Sequence, residues 1–209
     1  MQVYILKESN SDSRVAASPD TVKKMKDWGL NVVIQDNAGL NSNFSNEEYI
    51  KSGATISNEI TDISKSDLIL KINKPNDDEI ALMNEGSVLI ASLDPYNNSE
   101  TLNKLKDKGV TSFAMELMPR ITRAQSMDIL SSQSNLAGYK AVIDATYLFN
   151  KAMPMMMTAA GTIAPAKVMV FGAGVAGLQA IATAKRLGAI VSATDVRMAA
   201  KEQVESLGG

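Results

Sequence analysis

The stretch KVMVFGAGVAGLQAIATAKRLGAIVSATD, residues 167–195, decides how the rest of the chain is read. Its apolar run at 168–171 has the length and composition of a strand buried on both faces. Gly172, Gly174 and Gly177 follow as G-x-G-x-x-G. The first glycine permits a tight turn, the second lets backbone approach a pyrophosphate, and the third lets helix pack on strand. A helix is predicted to about Leu187 with Gly188 ending it, and its N-terminus would turn N–H groups and the positive end of its dipole toward phosphate. The candidate pyrophosphate cradle is therefore the backbone of Gly172, Ala173, Gly174, Val175, Ala176 and Gly177. A second apolar run, 189–193, leads to Asp195, eighteen residues beyond Gly177. A carboxylate there can accept from the adenosine ribose, making Asp195, Val196 and Arg197 the candidate ribose site. Arg197 could hold a 2′-phosphate, but Asp195 would repel that group, so NAD(H) is expected over NADP(H). The alternative for Asp195 is a cap on the next helix.

Composition narrows the classes of function. The chain has 209 residues, 45% hydrophobic and 21% charged, enough for one large globular domain or two small ones. A net charge of −2 and 5% aromatics provide neither a basic field nor a stacking surface for nucleic acid. With no cysteine there is no disulfide framework, thiolate nucleophile or cysteine-ligated metal, which fits a reducing compartment. The absence of histidine removes histidine acid–base chemistry and histidine metal ligation, and no metal site is expected. The N-terminal MQVYILKESNSDSRVA has too short an apolar stretch for a secretory signal. Between 152 and 191, Lys167, Lys185 and Arg186, with glycines and prolines, break the sequence so that no uncharged run reaches the ~20 residues of a membrane span. A cytoplasmic location is expected.

From residue 1 to about 118, short apolar runs alternate with helical segments, the pattern of a parallel sheet with helices on its faces. Strands are predicted near 3–6, 30–34, 67–72, 88–93 and 110–114. Ser18-Pro19-Asp20 opens a helix with Val22, Met25 and Trp28 inward and Gly29 at its end; Ser45 caps a second; others are expected at 77–84 and 100–108. Across 123–150, Met127, Leu130, Ser134, Ala137, Ala141, Ala145 and Leu148 recur every three or four residues, which predicts a long connecting helix whose alanines permit close approach. PMMMTAAGTIAPAK after it reads as a buried linker in which methionine fills irregular gaps. The expected fold is α/β: two doubly wound Rossmann-like domains, 1–122 and 151–209, joined by the helix at 123–150. The second, ending in a helix from about Ala199, shows two strands and two helices, fewer than a dinucleotide fold needs. The chain is therefore expected to be truncated or completed by another polypeptide, and inactive alone.

Beyond these motifs, the chain resembles the N-terminal NAD(H)-binding region of the proton-translocating NAD(P) transhydrogenase alpha subunit. The similarity runs over essentially the whole length, through KES…RVAASPDTV, PRITRAQSMDILSSQSNLAGYKAV, PMMMTAAGTIAPAKVMVFGAGVAGLQAIATAKRLGA and ATDVR…AAKEQVESLGG. The resemblance implies that residues 120–128 form a loop over the nicotinamide, in which Arg120, Gln125 and Asp128 hold the carboxamide and ribose, with Ser131 beside them. From the residues alone, these positions read as a solvated loop and a helix start. Met198 departs from the family, which would place proline after DVR. Further implications are a partner component carrying NADP(H), a membrane-spanning component that couples hydride transfer to proton movement, a homodimer, and a position on the cytoplasmic face of the inner membrane.

Two alternatives compete. Alanine dehydrogenase is a relative with the same architecture, whose substrate arginine and lysine would match Arg14 and Lys71. Oxidative deamination requires proton transfer at the substrate, done in that family by a histidine, and this chain has none. Hydride transfer between two nicotinamides needs no protein acid or base, only rings held about 3–3.5 Å apart. The third reading is a regulatory or vestigial NAD sensor without activity of its own.

Overall fold

The computed structural model describes residues 1–9 and 11–209. They form two compact units, Met1–Met127 and Asp128–Gly209.

In the first unit, β1 (Gln2–Ile5), β2 (Asn31–Gln35), β3 (Thr55–Ser57), β4 (Leu68–Leu70), β5 (Val88–Ala91) and β6 (Thr111–Ala114) make one parallel sheet in the order β3-β2-β1-β4-β5-β6. Strand side chains alternate between faces, so β1 feeds two cores: Tyr4 packs with Ile69 and Leu89, while Val3 and Ile5 pack with Val32 and Ile34. The intervening helices are α1 (Pro19–Asp27), α2 (Asn46–Lys51), α3 (Asp77–Leu82) and α4 (Ser99–Asp107). Their starts follow the capping signals: Ser18 accepts the Thr21 N–H with Pro19 in the first turn, and Ser45/Glu48 and Asn76/Glu79 form capping boxes. In this unit one expectation fails and one strand is unforeseen. Trp28 is 72% exposed rather than inward, because the helix ends at Asp27 and Trp28 sits at its C-cap ahead of Gly29 at φ +80°. The edge strand β3 was not predicted, since TIS is too short to show a period.

Strand order reverses at β1, which pairs with β2 on one side and β4 on the other. Past the C-terminal ends of β1 and β4 lie the buried charges Glu8 and Lys71. Lys71 Nζ donates to both carboxylate oxygens of Glu79 at 2.5 and 2.6 Å, with side chains only 7% and 6% exposed. Glu79 also accepts the Asn76 N–H at 2.8 Å, so one carboxylate caps α3 and neutralises the lysine. Glu8 accepts the Ile72 N–H at 2.6 Å and the Asn73 side-chain amide at 3.0 Å.

The second unit opens with α5 (Ile129–Leu148), after a 3-10 turn at Thr122–Met127 that belongs to the first unit. Then come β7 (Met156–Thr158), β8 (Gly161–Ile163), β9 (Lys167–Phe171), α6 (Val175–Arg186), β10 (Ile190–Thr194) and α7 (Ala200–Ser206). β9 and β10 pair in parallel from Lys167↔Ile190 to Phe171↔Thr194. Their core joins Val142 of α5 to Ala180, Ile181 and Ala184 of α6 and Val191 of β10. The buried residues of α5 are Gly138 and Val142, one position on from the predicted Ala137 and Ala141. The smallest side chain sets the contact: a Cβ on Gly138 would fall 2.1 Å from the Ala176 carbonyl oxygen. The methionine segment is also not the buried linker expected. β7 and β8 form an antiparallel hairpin whose Met155, Met156, Met157 and Ile163 are exposed. Its turn is closed by Ala160 N–H donating to Thr158 Oγ1 at 3.2 Å and by Gly161 at φ +138°.

Gly138→Ala should lower the unfolding stability of the second unit by about 1–3 kcal/mol, through overpacking against backbone that cannot yield, as followed by circular dichroism in urea. Lys71→Met should cost about 3–5 kcal/mol by leaving Glu79 buried and unpaired. Lys71→Met combined with Glu79→Gln, which keeps the cap acceptor, should recover most of that loss; equal losses for single and double variants would show that charge pairing is not the cause.

Candidate dinucleotide site

The glycine loop has the geometry its three glycines predict. Gly172 stands at φ +93° as the chain leaves β9, and its N–H donates to the Thr194 carbonyl at 2.8 Å. Gly174 is the N-cap of α6 with extended backbone, and nothing lies within 4 Å of where its Cβ would be, which leaves room for a ligand to reach the main chain. Gly177 is the packing glycine: a Cβ there would meet the Gly172 carbonyl oxygen at 1.8 Å. Among the described residues no side chain caps α6, and the first bond of its ladder is Leu178 N–H to the Gly174 carbonyl. The N–H groups of Val175, Ala176 and Gly177 therefore point off the helix end, where an anion is stabilised.

Register brings the predicted acid to the same place. Thr194 pairs with Phe171, so Asp195 leaves β10 beside the glycine loop. Its Oδ2 accepts the Ala173 N–H at 2.7 Å. Its Oδ1 accepts the Arg197 N–H at 2.8 Å and Nε at 3.0 Å, while Arg197 Nη2 reaches Oδ2 at 3.1 Å. The Arg197 guanidinium, then the backbone N–H groups of Arg197 and Ala173, hold the Asp195 carboxyl well below the usual carboxylate range. Asp195 thus ties the strand end to the loop and is not a cap of α7, which begins at Ala200. Val196 is fully exposed. A cavity of about 410 Å³ adjoins Asp195, Arg197, Lys201 and Glu205.

The residues implied to hold the nicotinamide are distributed between the units. Arg120 and Gln125 lie in the first, exposed, ahead of and within the 3-10 turn. Asp128 and Ser131 lie in the second and meet each other: Asp128 is the N-cap of α5, accepting the Ser131 N–H at 2.9 Å and its hydroxyl at 2.6 Å.

The competing substrate cations are each matched by an acid. Lys71 faces Glu79, as described, and Arg14 donates through Nε and Nη2 to Asp12 at 2.9 and 2.6 Å. That guanidinium holds the Asp12 carboxyl well below its ordinary range. Sequence reading missed Glu79, although N-x-x-E at 76–79 before an apolar run is a capping-box signal. Among the described residues no group of acidic or nitrogen and sulfur ligands could hold a metal ion, and no helix is long and apolar enough to cross a membrane.

Known proteins match over the same length. Residues 4–137 match the family described as alanine dehydrogenase/PNT, N-terminal domain, and residues 141–209 its C-terminal domain. An NAD(P) transhydrogenase subunit alpha polypeptide of Rhodospirillum rubrum is 53% identical over 100% of this chain and 56% of its own length. The crystal structure of transhydrogenase from Sinorhizobium meliloti is 57% identical, with a TM-score of 0.97 over 100% of this chain and 63% of that one. The alanine dehydrogenase of Bacillus subtilis is more distant, 30% identical over 96% of this chain and 53% of its own length. The chain thus spans little more than half the length of the curated relatives it matches. The resemblance read from its motifs is borne out, and the chain belongs to the alanine dehydrogenase/PNT family.

Proposed function

We propose that this chain is the NAD(H)-binding component of a proton-translocating NAD(P) transhydrogenase. The observation that carries the reading is the Asp195 carboxylate fastened to the glycine loop at Ala173, one strand over from a helix start that no side chain caps among the described residues. This arrangement fits a dinucleotide: backbone N–H groups of Val175, Ala176 and Gly177 for the pyrophosphate, open space over Gly174, and an ionised acceptor for ribose hydroxyls. When bound, NADH supplies a hydride from its nicotinamide ring. The chain's role is to bind and orient. Arg120, Gln125 and Asp128 hold the carboxamide and ribose, with Ser131 beside Asp128 at the start of α5. No protein acid or base is called for, which agrees with a chain lacking histidine. The hydride acceptor is NADP⁺ on a separate component, and a membrane-spanning component couples transfer to proton movement. In this reading the chain works as a homodimer, peripheral on the cytoplasmic face of the inner membrane. An amino-acid dehydrogenase reading is disfavoured because oxidative deamination needs proton transfer at the substrate, done in that family by a histidine, and this chain has none.

Mixing the protein, expressed over the full length of its reading frame, with an NADP(H)-binding transhydrogenase component should give hydride transfer from NADH to an NADP⁺ analogue; absence of transfer at saturating nucleotide refutes the assignment, and alanine-dependent NAD⁺ reduction supports the competitor. Asp195→Ala should weaken NADH by roughly ten- to a hundred-fold in titration, by leaving ribose hydroxyls unpaired. Gln125→Ala should slow transfer while NADH affinity stays within a few-fold. Asp128→Ala should slow transfer and also cost about 1 kcal/mol of stability as a lost cap. Asp128→Asn, which keeps a cap acceptor, should restore the stability and not the rate; full recovery of both would reduce Asp128 to a cap.

A further inference from the structure

We propose that Glu116 is a positioning residue: it fastens the start of the 118–127 segment, which carries Arg120 and Gln125, to the end of β5. The inference rests on the transhydrogenase reading and adds to it a residue outside the motifs that suggested it.

Glu116 lies in a 3-10 turn, Met115–Leu117, directly after β6. Its Oε1 accepts the Leu93 N–H at 2.8 Å and the Asp94 N–H as well, so one oxygen ties two successive residues beyond β5. Leu93 is buried, and without this acceptor its N–H would be left unpaired away from water. Asp94 stands at φ +46° directly before Pro95, a position where the following ring favours extended backbone. Such a turn is strained for a residue other than glycine and persists only where its surroundings hold it. Asn97 and Asn98 bond to Asp94 on one side, and Glu116 holds it on the other. The second carboxyl oxygen of Glu116, Oε2, is buried with no hydrogen-bond partner among the described residues. An orphaned buried oxygen is costly, so stability alone does not account for the acid, and its whole grip is exerted through Oε1. Two departures from local rules thus meet at the point where the 118–127 segment leaves the sheet, as happens at functional sites.

Beyond this point the segment is loosely tied. Its backbone bonds outside the following 3-10 turn are local, Met118 to Met115, Ile121 to Pro119 and Ala124 to Ile121. Ala124 is buried, whereas Arg120, Ile121 and Gln125 are exposed. Among the described residues, Glu116 therefore makes the last hydrogen bonds to the body of the unit before Arg120, which lies four residues on. Without them the last tie is the ladder pair Ala91↔Ala114, six residues before Arg120. Each residue added to a free tether extends its reach by about 3.3–3.6 Å. Hydride transfer tolerates far less, because misplacement by about 1 Å can cost a hundred-fold in rate.

The test compares the wild type, expressed over its full reading frame, with Glu116→Ala, Glu116→Gln and Ile63→Val. Ile63 is fully buried in a core of the same unit, so trimming it lowers stability without touching the segment. In Glu116→Ala, hydride transfer from NADH to an NADP⁺ analogue on the partner component should slow by about ten- to a hundred-fold at saturating nucleotide, while NADH affinity stays within about three-fold. Glu116→Gln keeps an accepting oxygen and should remain within about three-fold of wild type in both. Ile63→Val should lower the urea midpoint and leave the transfer rate unchanged. Amide hydrogen exchange, followed by mass spectrometry without nucleotide, should quicken over 93–94 and 118–124 in Glu116→Ala alone. An unchanged rate in Glu116→Ala overturns the inference, as does equal slowing in Ile63→Val or unchanged exchange over 118–124. A wild type that transfers no hydride overturns the transhydrogenase reading, and this inference with it.

Discussion

Parallel strands cannot be joined by tight turns, and each connection between neighbours requires the chain to cross a face of the sheet before it returns. That constraint organises both units. In the first, it puts β1 in the middle with crossovers leaving on either side, so that Val3 and Tyr4, adjacent in sequence, end in different cores. In the second, the crossover is α6, and its return as β10 delivers Asp195 next to the loop that began the excursion. The candidate site follows from the connection: a strand end, a helix start and the end of the returning strand meet at one point because the topology permits no other arrangement.

The places where charge is buried show the same logic under stress. Ligand sites of doubly wound sheets lie where strand order reverses, and in the first unit that position carries Glu8, Lys71 and Glu79. A buried lysine opposite a carboxylate stabilises little on its own, since desolvation offsets most of the attraction. Here Glu79 also caps α3, and Glu8 satisfies the backbone beyond β4. A cavity of about 410 Å³ remains at this reversal, but the charged groups that line it, Glu8, Lys71 and Glu79, are engaged by the protein's own hydrogen bonds, whereas at the glycine loop of the second unit the helix start is left without a side-chain partner among the described residues.

Much of this was legible in the sequence, for identifiable reasons. The glycine loop and Asp195 were readable because each residue has a backbone or charge requirement that few other residues meet: Gly172 for its positive φ, Gly177 for a contact closer than any Cβ permits. Helix starts at Ser18 and Ser45 were readable because capping is local. What escaped was set by tertiary choice. The face of α5 was misjudged by one position because α5 is apolar around much of its surface, and only packing against Ala176 reveals that Gly138 is the contact. The hairpin at Met156–Ile163 was obscured by methionines, whose apolar character suggested burial while the Thr158–Gly161 turn determined the structure. The pairing of Arg197 with Asp195 could be suspected from their spacing, but the sequence could not show that Ala173 holds the acid in place.

The crossing of α5 over α6 also has a mechanical meaning. Most helices touch through side chains, whose rotamers can take up part of a small displacement. At Gly138 the contact is backbone against backbone, and the carbonyl it touches belongs to Ala176, one of the residues whose N–H groups face the candidate pyrophosphate position. There is no soft layer between them. The position of the start of α6 is therefore fixed directly against α5, the helix that Asp128 caps. The missing side chain acts as a rigid bearing, joining the candidate grip on phosphate to the helix that starts at Asp128 and Ser131.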